Sequence, residues 1–220
     1  MDQPNSTNKK AWPTRAAMQQ IYELNLWGGQ GSFYSGLGSH DPSLVDPYVK
    51  RVQSFLRSFE EPLEVVDLGC GDFNVGNQLV PFAKHYDAID IVPALIERNK
   101  QIYQATNLTF GCMDIANDEL PPGDVAILRQ VLQHLSNAEV KNVVTKLYQY
   151  RFVILTEHLP DGTFEPNKDI ISGQGIRLKK GSGLNLQLDP FNLKAKHSET
   201  WFSVPYSNGK GVITTTLFVL

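Results

Sequence analysis

The sequence predicts an α/β fold whose mostly parallel β-sheet is covered by helices on both faces. In the segment 65–76, VVDLGCGDFNVG, a β-branched apolar strand runs into a glycine turn. From Leu63 onwards, strand and helix patterns alternate along the chain, as they do in parallel sheets. Asn208-Gly209 is a hairpin signal between two β-rich runs, so the last two strands are predicted to be antiparallel.

Composition limits the class of protein. The chain has 220 residues, of which 41% are hydrophobic, and this length suits one domain. Its net charge of -3 provides no general attraction for phosphate backbones, so no nucleic acid partner is expected. The spacing of the 2 cysteines suits neither a zinc site nor a disulfide framework. Neither a signal peptide nor a membrane span is recognisable. We therefore predict a cytoplasmic protein without a membrane partner.

The N-terminal part is predicted to be helical and to precede the sheet. Residues 1–12 are polar and predicted to be a disordered leader, and residues 13–62 form a helical and lid segment. One helix is expected from Thr14 to about Leu26. A second is expected from near Asp46-Pro47 to about Phe59, because an acceptor side chain followed by proline marks a helix start. The glycine-rich stretch between them, residues 27–40, is predicted to be irregular.

Residues 63–220 are predicted to form the core domain, with a loop-rich insertion at about 165–196. Ser136 and Glu139 have the spacing of a capping box, so a helix is expected from about Asn137. Two other helices are expected, at 75–83 and at 93 to about 103. The predicted strands are Glu64–Leu68, Tyr86–Ile91, Leu108–Cys112, Val125–Leu128, Phe152–Thr156, Glu199–Tyr206 and Val212–Leu220.

The glycine turn predicts a nucleotide-cofactor site. Asp67, Gly69 and Gly71 form the pattern of an acid, any residue, glycine, any residue, glycine, and this resembles motif I of the class I S-adenosylmethionine-dependent methyltransferases. The competing NAD-binding fingerprint needs a third glycine where this chain has Asn74. An ordinary strand-to-helix turn is the simplest alternative.

The resemblance implies a Rossmann-like sheet of seven strands, with the seventh reversed and inserted beside the fifth, and S-adenosyl-L-methionine as cofactor. It also implies that Asp90, with Ile91, binds the ribose at the end of the second strand. The adenine would lie near Asp114 and Ile115. The remaining predicted cofactor contacts are Gln130, beyond the fourth strand, and Tyr34, in the lid, whose Ser35 and Gly36 are also candidates.

Two histidines are candidate catalytic bases. His134 and His158 follow the fourth and fifth strands, and an imidazole with a near-neutral pKa can accept the proton of a hydroxyl or ammonium acceptor. A purely structural role is the alternative for each. Glu157 is a further candidate to orient an acceptor. The insertion has a basic cluster that could attract an anionic acceptor, consisting of Arg177, Lys179, Lys180, Lys194 and Lys196.

The sequence therefore predicts a metal-independent methyltransferase that acts at oxygen or nitrogen of a small molecule. The motif of DNA-amino methyltransferases is absent after the fourth strand, where Arg129-Gln130 stands instead. Asp124 begins the fourth strand and so does not supply the strand-end carboxylates of catechol-type metal enzymes. Two alternatives stay open: a catalytically idle cofactor-binding or interaction protein on the same fold, and an NAD-dependent oxidoreductase.

Overall fold

A seven-stranded mixed sheet organises the chain. The computed structural model describes residues 12–29, 33–206 and 209–220. Almost all of the predicted leader, the glycine-rich residues 30–32 and the hairpin residue Asn208 lie outside the described residues. The strands are β1 (Glu64–Leu68), β2 (His85–Asp90), β3 (Leu108–Cys112), β4 (Val125–Arg129), β5 (Phe152–Leu159), β6 (His197–Pro205) and β7 (Val212–Val219).

The strand order is β3-β2-β1-β4-β5-β7-β6. β1 to β5 pair in parallel, whereas β7 is antiparallel to both β5 and β6. The predicted fold class is confirmed, including the reversed last strand beside the fifth. The order reverses between β1 and β4, which is where open parallel sheets bind their ligands, beyond the carboxyl ends of the strands.

Helices cover both faces of the sheet. They are α1 (Thr14–Glu23), α2 (Pro42–Leu56), α3 (Pro93–Ile102) and α4 (Asn137–Leu147). α1, α3, α4 and the insertion contribute to the apolar core on one face, and α2 with residues 75–83 to the core on the other. The capping box at the start of α4 is present as predicted. The central strands β1, β4 and β5 are buried along most of their length, whereas the edge strands β3 and β6 contain no buried residue.

Two helix predictions are wrong in position or type. α2 begins at Pro42, capped by Asp41, whose Oδ1 accepts the Ser43 N–H at 2.9 Å. Asp41-Pro42 therefore has the acceptor-proline pattern that was expected at Asp46-Pro47, and Pro47 lies inside the helix. The helix expected at 75–83 is instead a pair of 3-10 turns, Gly76–Gln78 and Val80–Phe82. Gly76 and Pro81 explain this difference, because both residue types are poor formers of helix interiors.

Candidate active site

A cavity of about 360 Å³ opens at the carboxyl ends of the parallel strands. It is bounded by the glycine turn after β1, the ends of β2 to β5, the segment 35–39 and part of the insertion. Ten of the predicted site residues line it: Asp67, Gly69, Gly71, Asp90, Ile91, Asp114, Ile115, Gln130, His134 and His158. Tyr34 is not among the lining residues, because its ring stacks on that of His40 with the centroids 4.4 Å apart.

The glycine turn needs its glycines for space as well as for backbone conformation. Gly69 and Gly71 have backbone φ angles of 91° and 57°, which residues other than glycine rarely adopt. A Cβ on Gly71 would come within 2.6 Å of Ser35 Oγ, and a Cβ on Gly69 would collide with Val131. The turn therefore brings bare backbone to the edge of the cavity, as a cradle for a nucleotide requires.

The acid that ends β2 also holds the glycine turn in place. Asp90 Oδ2 accepts the Gly71 N–H at 3.1 Å, and its Oδ1 accepts the Val92 N–H at 3.0 Å. Burial raises the pKa of Asp90, and these backbone donors counteract the rise. A carboxylate has about four acceptor positions, so Asp90 keeps capacity for ribose hydroxyls. The residues present thus fit the cofactor that the sequence motif implies.

Asp67 lies deeper than Asp90. Its Oδ2 accepts the Tyr86 hydroxyl at 3.0 Å, and burial raises its pKa to about 7. Asp114, after β3, accepts the Ala116 N–H and the Asn117 amide, so the turn that carries it is internally braced. Ile115 is buried beside it and forms apolar lining for this end of the cavity.

The segment 33–40 is fastened over the glycine turn through Asp72. Asp72 Oδ2 accepts both the Ser35 N–H at 2.9 Å and His40 Nε2 at 2.6 Å. In return, Ser35 Oγ accepts the Asp72 N–H at 2.8 Å, and Asn74 Nδ2 donates to Ser39 O at 2.7 Å. Asn74, which occupies the position of the third NAD-motif glycine, thus bonds to this segment.

Arg129 fastens the same segment from the end of β4. Its guanidinium is buried, and its Nη2 donates to Gly38 O at 2.6 Å. The next residue, Gln130, has a φ of 58° and approaches Gly38 so closely that a Cβ there would collide with its amide. The close approach of Gln130 explains why residue 38 is a glycine.

The two candidate bases differ in which nitrogen is available. His134 Nδ1 donates to Gly173 O at 3.1 Å, and its Nε2 lies 3.3 Å from the Gln133 amide nitrogen. Burial lowers the pKa of His134 to about 4. His158 Nε2 donates to Lys210 O at 2.9 Å, which leaves its Nδ1 lone pair without a partner among the described residues. Burial also lowers the pKa of His158, so its ring is neutral at pH 7 and its free lone pair is unprotonated.

The basic cluster predicted in the insertion does not exist as one surface. Arg177 is buried, and its guanidinium donates to backbone carbonyls beyond β4. Lys196 donates to Leu220 O at the end of the chain. Of the cluster, only Lys179 lines the cavity, where its ammonium is exposed and has no partner among the described residues. Glu157 is buried outside this cavity, so it does not orient a ligand there.

Sequence reasoning missed Asp72, His40 and Arg129. Asp72 directly follows the glycine turn and Arg129 ends β4, so their positions could have indicated a role at this edge of the sheet. His40 had no signal in the sequence, because its importance depends on the folding of residues 33–40 back onto Asp72.

Among the described residues, no group of three or more His, Cys, Asp or Glu side chains is arranged to hold a metal ion. Within the same residues, every helix is too short or too polar to cross a bilayer.

Comparisons with known proteins agree on one class. Residues 65–150 match the family model described as a methyltransferase domain. The N-methyltransferase NodS from Bradyrhizobium japonicum, solved with S-adenosyl-L-homocysteine, superposes with a TM-score of 0.64 at 13% identity, covering 92% of this chain and 98% of NodS. Magnesium protoporphyrin IX methyltransferase from Synechocystis, solved with S-adenosylmethionine, gives a TM-score of 0.57 at 16% identity, covering 97% of this chain and 100% of that enzyme. A search of curated protein sequences found no match.

The motif, the sheet order and the match of residues 65–150 to a methyltransferase domain agree with the class I S-adenosylmethionine-dependent methyltransferases. S-adenosylmethionine is the cofactor of this class, and the predicted family and cofactor are confirmed. The structural neighbours share the fold at low identity, so the acceptor must be argued from the residues of this chain.

Proposed function

We propose that this protein transfers the methyl group of S-adenosylmethionine to an oxygen or nitrogen atom of a small, anionic acceptor without a metal ion. The observation that carries the proposal is the arrangement of the cavity, in which the cofactor residues and the candidate base share one space. When bound, the cofactor supplies an electrophilic methyl group. The residues of the chain bind and orient the two reactants, exclude water and accept a proton.

Asp67, Gly69, Gly71 and Asp90 are the proposed cofactor contacts, with Asp114 and Ile115 at the adenine end. Residues 33–40 act as a lid, supported by their contacts with Asp72 and Arg129. Saturation with S-adenosylhomocysteine at about 100 times its dissociation constant should stabilise the fold by about 2.7 kcal/mol. Stabilisation by NAD, but not by S-adenosylhomocysteine, would contradict this proposal.

His158 is the proposed base for the acceptor. Lys210 O can only accept a hydrogen bond, so the proton of the neutral ring lies on Nε2 and the lone pair on Nδ1. His158 Nδ1 would take the acceptor proton as the methyl group passes from the sulfonium sulfur to the acceptor atom, with S-adenosylhomocysteine as the leaving group. His134 is the weaker candidate because its pKa is about 4 and a Gln133 N–H can already donate to its Nε2.

Replacement of the base should lower turnover without loss of cofactor affinity. We expect His158→Gln to reduce the methyl-transfer rate by about 100-fold to 10,000-fold, and His134→Gln to reduce it less. The assay is transfer of a radiolabelled methyl group into a small-molecule extract, with calorimetric titration of S-adenosylhomocysteine as the control. Equal losses in both variants would exclude this assignment. Absence of transfer by the wild-type protein would favour the catalytically idle alternative.

The anionic character of the acceptor is supported by the charges around the cavity. The carboxylates that line it, Asp67, Asp72, Asp90 and Asp114, lie at or just beyond the ends of β1 to β3. Between residues 130 and 206, the described lining residues include no carboxylate but do include the unpaired ammonium of Lys179. This part of the lining therefore offers an opposite charge to an acidic group and none to a cationic one.

Lys180 provides a matched control for Lys179. It is the adjacent exposed lysine, but its Nζ donates to Asp169 O at 2.6 Å and it does not line the cavity. We expect Lys179→Gln to lower transfer into the anion-exchange-retained fraction of the extract about tenfold, and Lys180→Gln to leave it within twofold, the first corresponding to about 1.4 kcal/mol. The extract is separated by anion exchange before the reaction. If only its unretained fraction accepts the label, the acceptor is not anionic.

A further inference from the structure

The insertion and the segment that follows β4 are joined by a dense set of hydrogen bonds. We call residues 131–139 the β4 turn and residues 167–180 the insertion arm. Gly173 N donates to His134 O at 3.0 Å, and His134 Nδ1 donates to Gly173 O at 3.1 Å. The Asn137 N–H donates to Asp169 Oδ1 at 2.7 Å, and Ser172 Oγ bonds to Glu139. The two segments are thus fixed to each other along their length.

Arg177 lies at the centre of this contact. It has a relative accessibility of 1% and is the largest fully buried side chain. Its Nη1 donates to Leu132 O at 3.2 Å, and its Nη2 donates to Leu135 O at 2.8 Å and to Asn137 Oδ1 at 2.6 Å. A buried guanidinium is costly unless it is well bonded, so these acceptors are tied to one side chain.

Both joined segments supply the lining of the acceptor half of the cavity. Gln133 and His134 come from the β4 turn, whereas Gln174, Ile176 and Lys179 come from the insertion arm. A displacement of either segment would therefore change the shape and charge of the acceptor space. The cofactor residues lie on β1 to β3 and their turns, outside these contacts.

The β4 turn also reaches the proposed base. Gln133 Oε1 accepts the backbone N–H of His158 at 2.9 Å. Arg177 thus holds the backbone of the turn that carries Gln133, and Gln133 holds the end of β5 at His158. The carboxyl group of Glu157 is buried next to this contact and interacts electrostatically with Arg177.

We infer that Arg177 is a positioning residue for methyl transfer, which fixes the insertion arm against the β4 turn and so sets the acceptor half of the cavity. The inference rests on the proposed function, because it assigns the acceptor to that half. On this basis the arm is a fixed wall that determines acceptor specificity, in contrast to the lid over the cofactor. An anchor that serves only global stability is the alternative that the experiment must exclude.

The test uses Arg177→Met, which keeps the aliphatic stem and removes every donor. Lys180→Met is the control, because Lys180 lies in the same 3-10 turn but is exposed. The primary measurement is the titration of His134 by NMR, because burial between the two segments lowers its pKa to about 4, with a smaller contribution from the positive charge of Arg177. We expect the midpoint to move towards 6.5 in Arg177→Met, and not in Lys180→Met. S-adenosylhomocysteine affinity should stay within threefold of wild type, while methyl transfer into a small-molecule extract falls at least tenfold.

Milder variants keep the test decisive if Arg177→Met does not fold. Arg177→Lys retains the charge with fewer donors, and Asn137→Ala removes a single acceptor but leaves Arg177 in place. Both should shift the His134 titration by a smaller amount, and a shift in these variants reports displacement of the arm and not loss of the Arg177 charge. A His134 titration that is unchanged in both charge-preserving variants would overturn the inference, as would equal loss of cofactor and acceptor functions. The proposed function fails separately, if the wild-type protein neither binds S-adenosylhomocysteine nor transfers a methyl group.

Discussion

Substitution of Asp72 by Asn tests whether the lid and the cofactor are coupled. In the native protein, the Ser35 N–H and His40 Nε2 converge on Asp72 Oδ2 at 2.9 Å and 2.6 Å. Asn can still accept both bonds, but without the negative charge. Bonds to a charged acceptor contribute about 1.5 to 3 kcal/mol and bonds to a neutral one about 0.5 to 1.5 kcal/mol. The closed conformation of the lid should therefore be destabilised by about 2 kcal/mol in Asp72→Asn.

A loss of this size limits the expected change in affinity. If cofactor binding requires the closed lid, S-adenosylhomocysteine should bind between about threefold and 30-fold more weakly to Asp72→Asn, mainly through faster dissociation. Calorimetry gives the affinity. Stopped-flow fluorescence of Trp27, which lines the cavity, gives the dissociation rate.

Asp124→Asn is the matched control for this measurement. Asp124 is also partly buried and accepts a backbone N–H, from Glu64 at 2.9 Å, but it lies at the opposite end of the strands. Its substitution should leave both quantities unchanged. Wild-type affinity and dissociation rate in Asp72→Asn would refute the coupling between segment 33–40 and the cofactor.

Three further substitutions test the proposed cofactor contacts and a buried acid outside the cavity. Asp90→Ala should weaken S-adenosylhomocysteine binding by roughly 1.5 to 3 kcal/mol in a calorimetric titration, and unchanged affinity would remove Asp90 from the ribose site. Gly71→Val should abolish binding but leave the circular dichroism spectrum folded, because the side chain would meet Ser35 Oγ. Burial raises the pKa of Glu157 to about 8 from 4.5, so the folded state binds the extra proton and native stability falls as pH rises through this range. Between pH 4.5 and pH 7 the loss is roughly 3 kcal/mol, and urea unfolding of Glu157→Gln, which mimics the protonated acid, should lack it. Parallel pH profiles for this variant and wild type would show that Glu157 is not perturbed.

The sequence by itself predicted the sheet and the residues that are proposed to bind the cofactor. Strand interiors such as Val65-Val66 are locally encoded, because buried parallel strands need consecutive β-branched or apolar residues. The glycine turn and Asp90 could be located because their chemistry depends on short spacings and on the ends of strands. Helix starts were less certain, since Asp41-Pro42 and Asp46-Pro47 have the same local signal and only packing selects between them.

Tertiary structure alone decided the contacts of residues 33–40 with Asp72 and those of the insertion arm with the β4 turn. His40 and Asp72 are 32 residues apart in sequence, and Arg177 reaches Leu135 across 42 residues, so no local pattern reports either pair. The same limitation explains the error on Arg177, which composition assigned to a charged surface. Whether a guanidinium faces solvent or is buried among backbone carbonyls depends on which segments the fold brings together. Burial then fixes its hydrogen bonds and its charge environment, and through them the shape of the acceptor space.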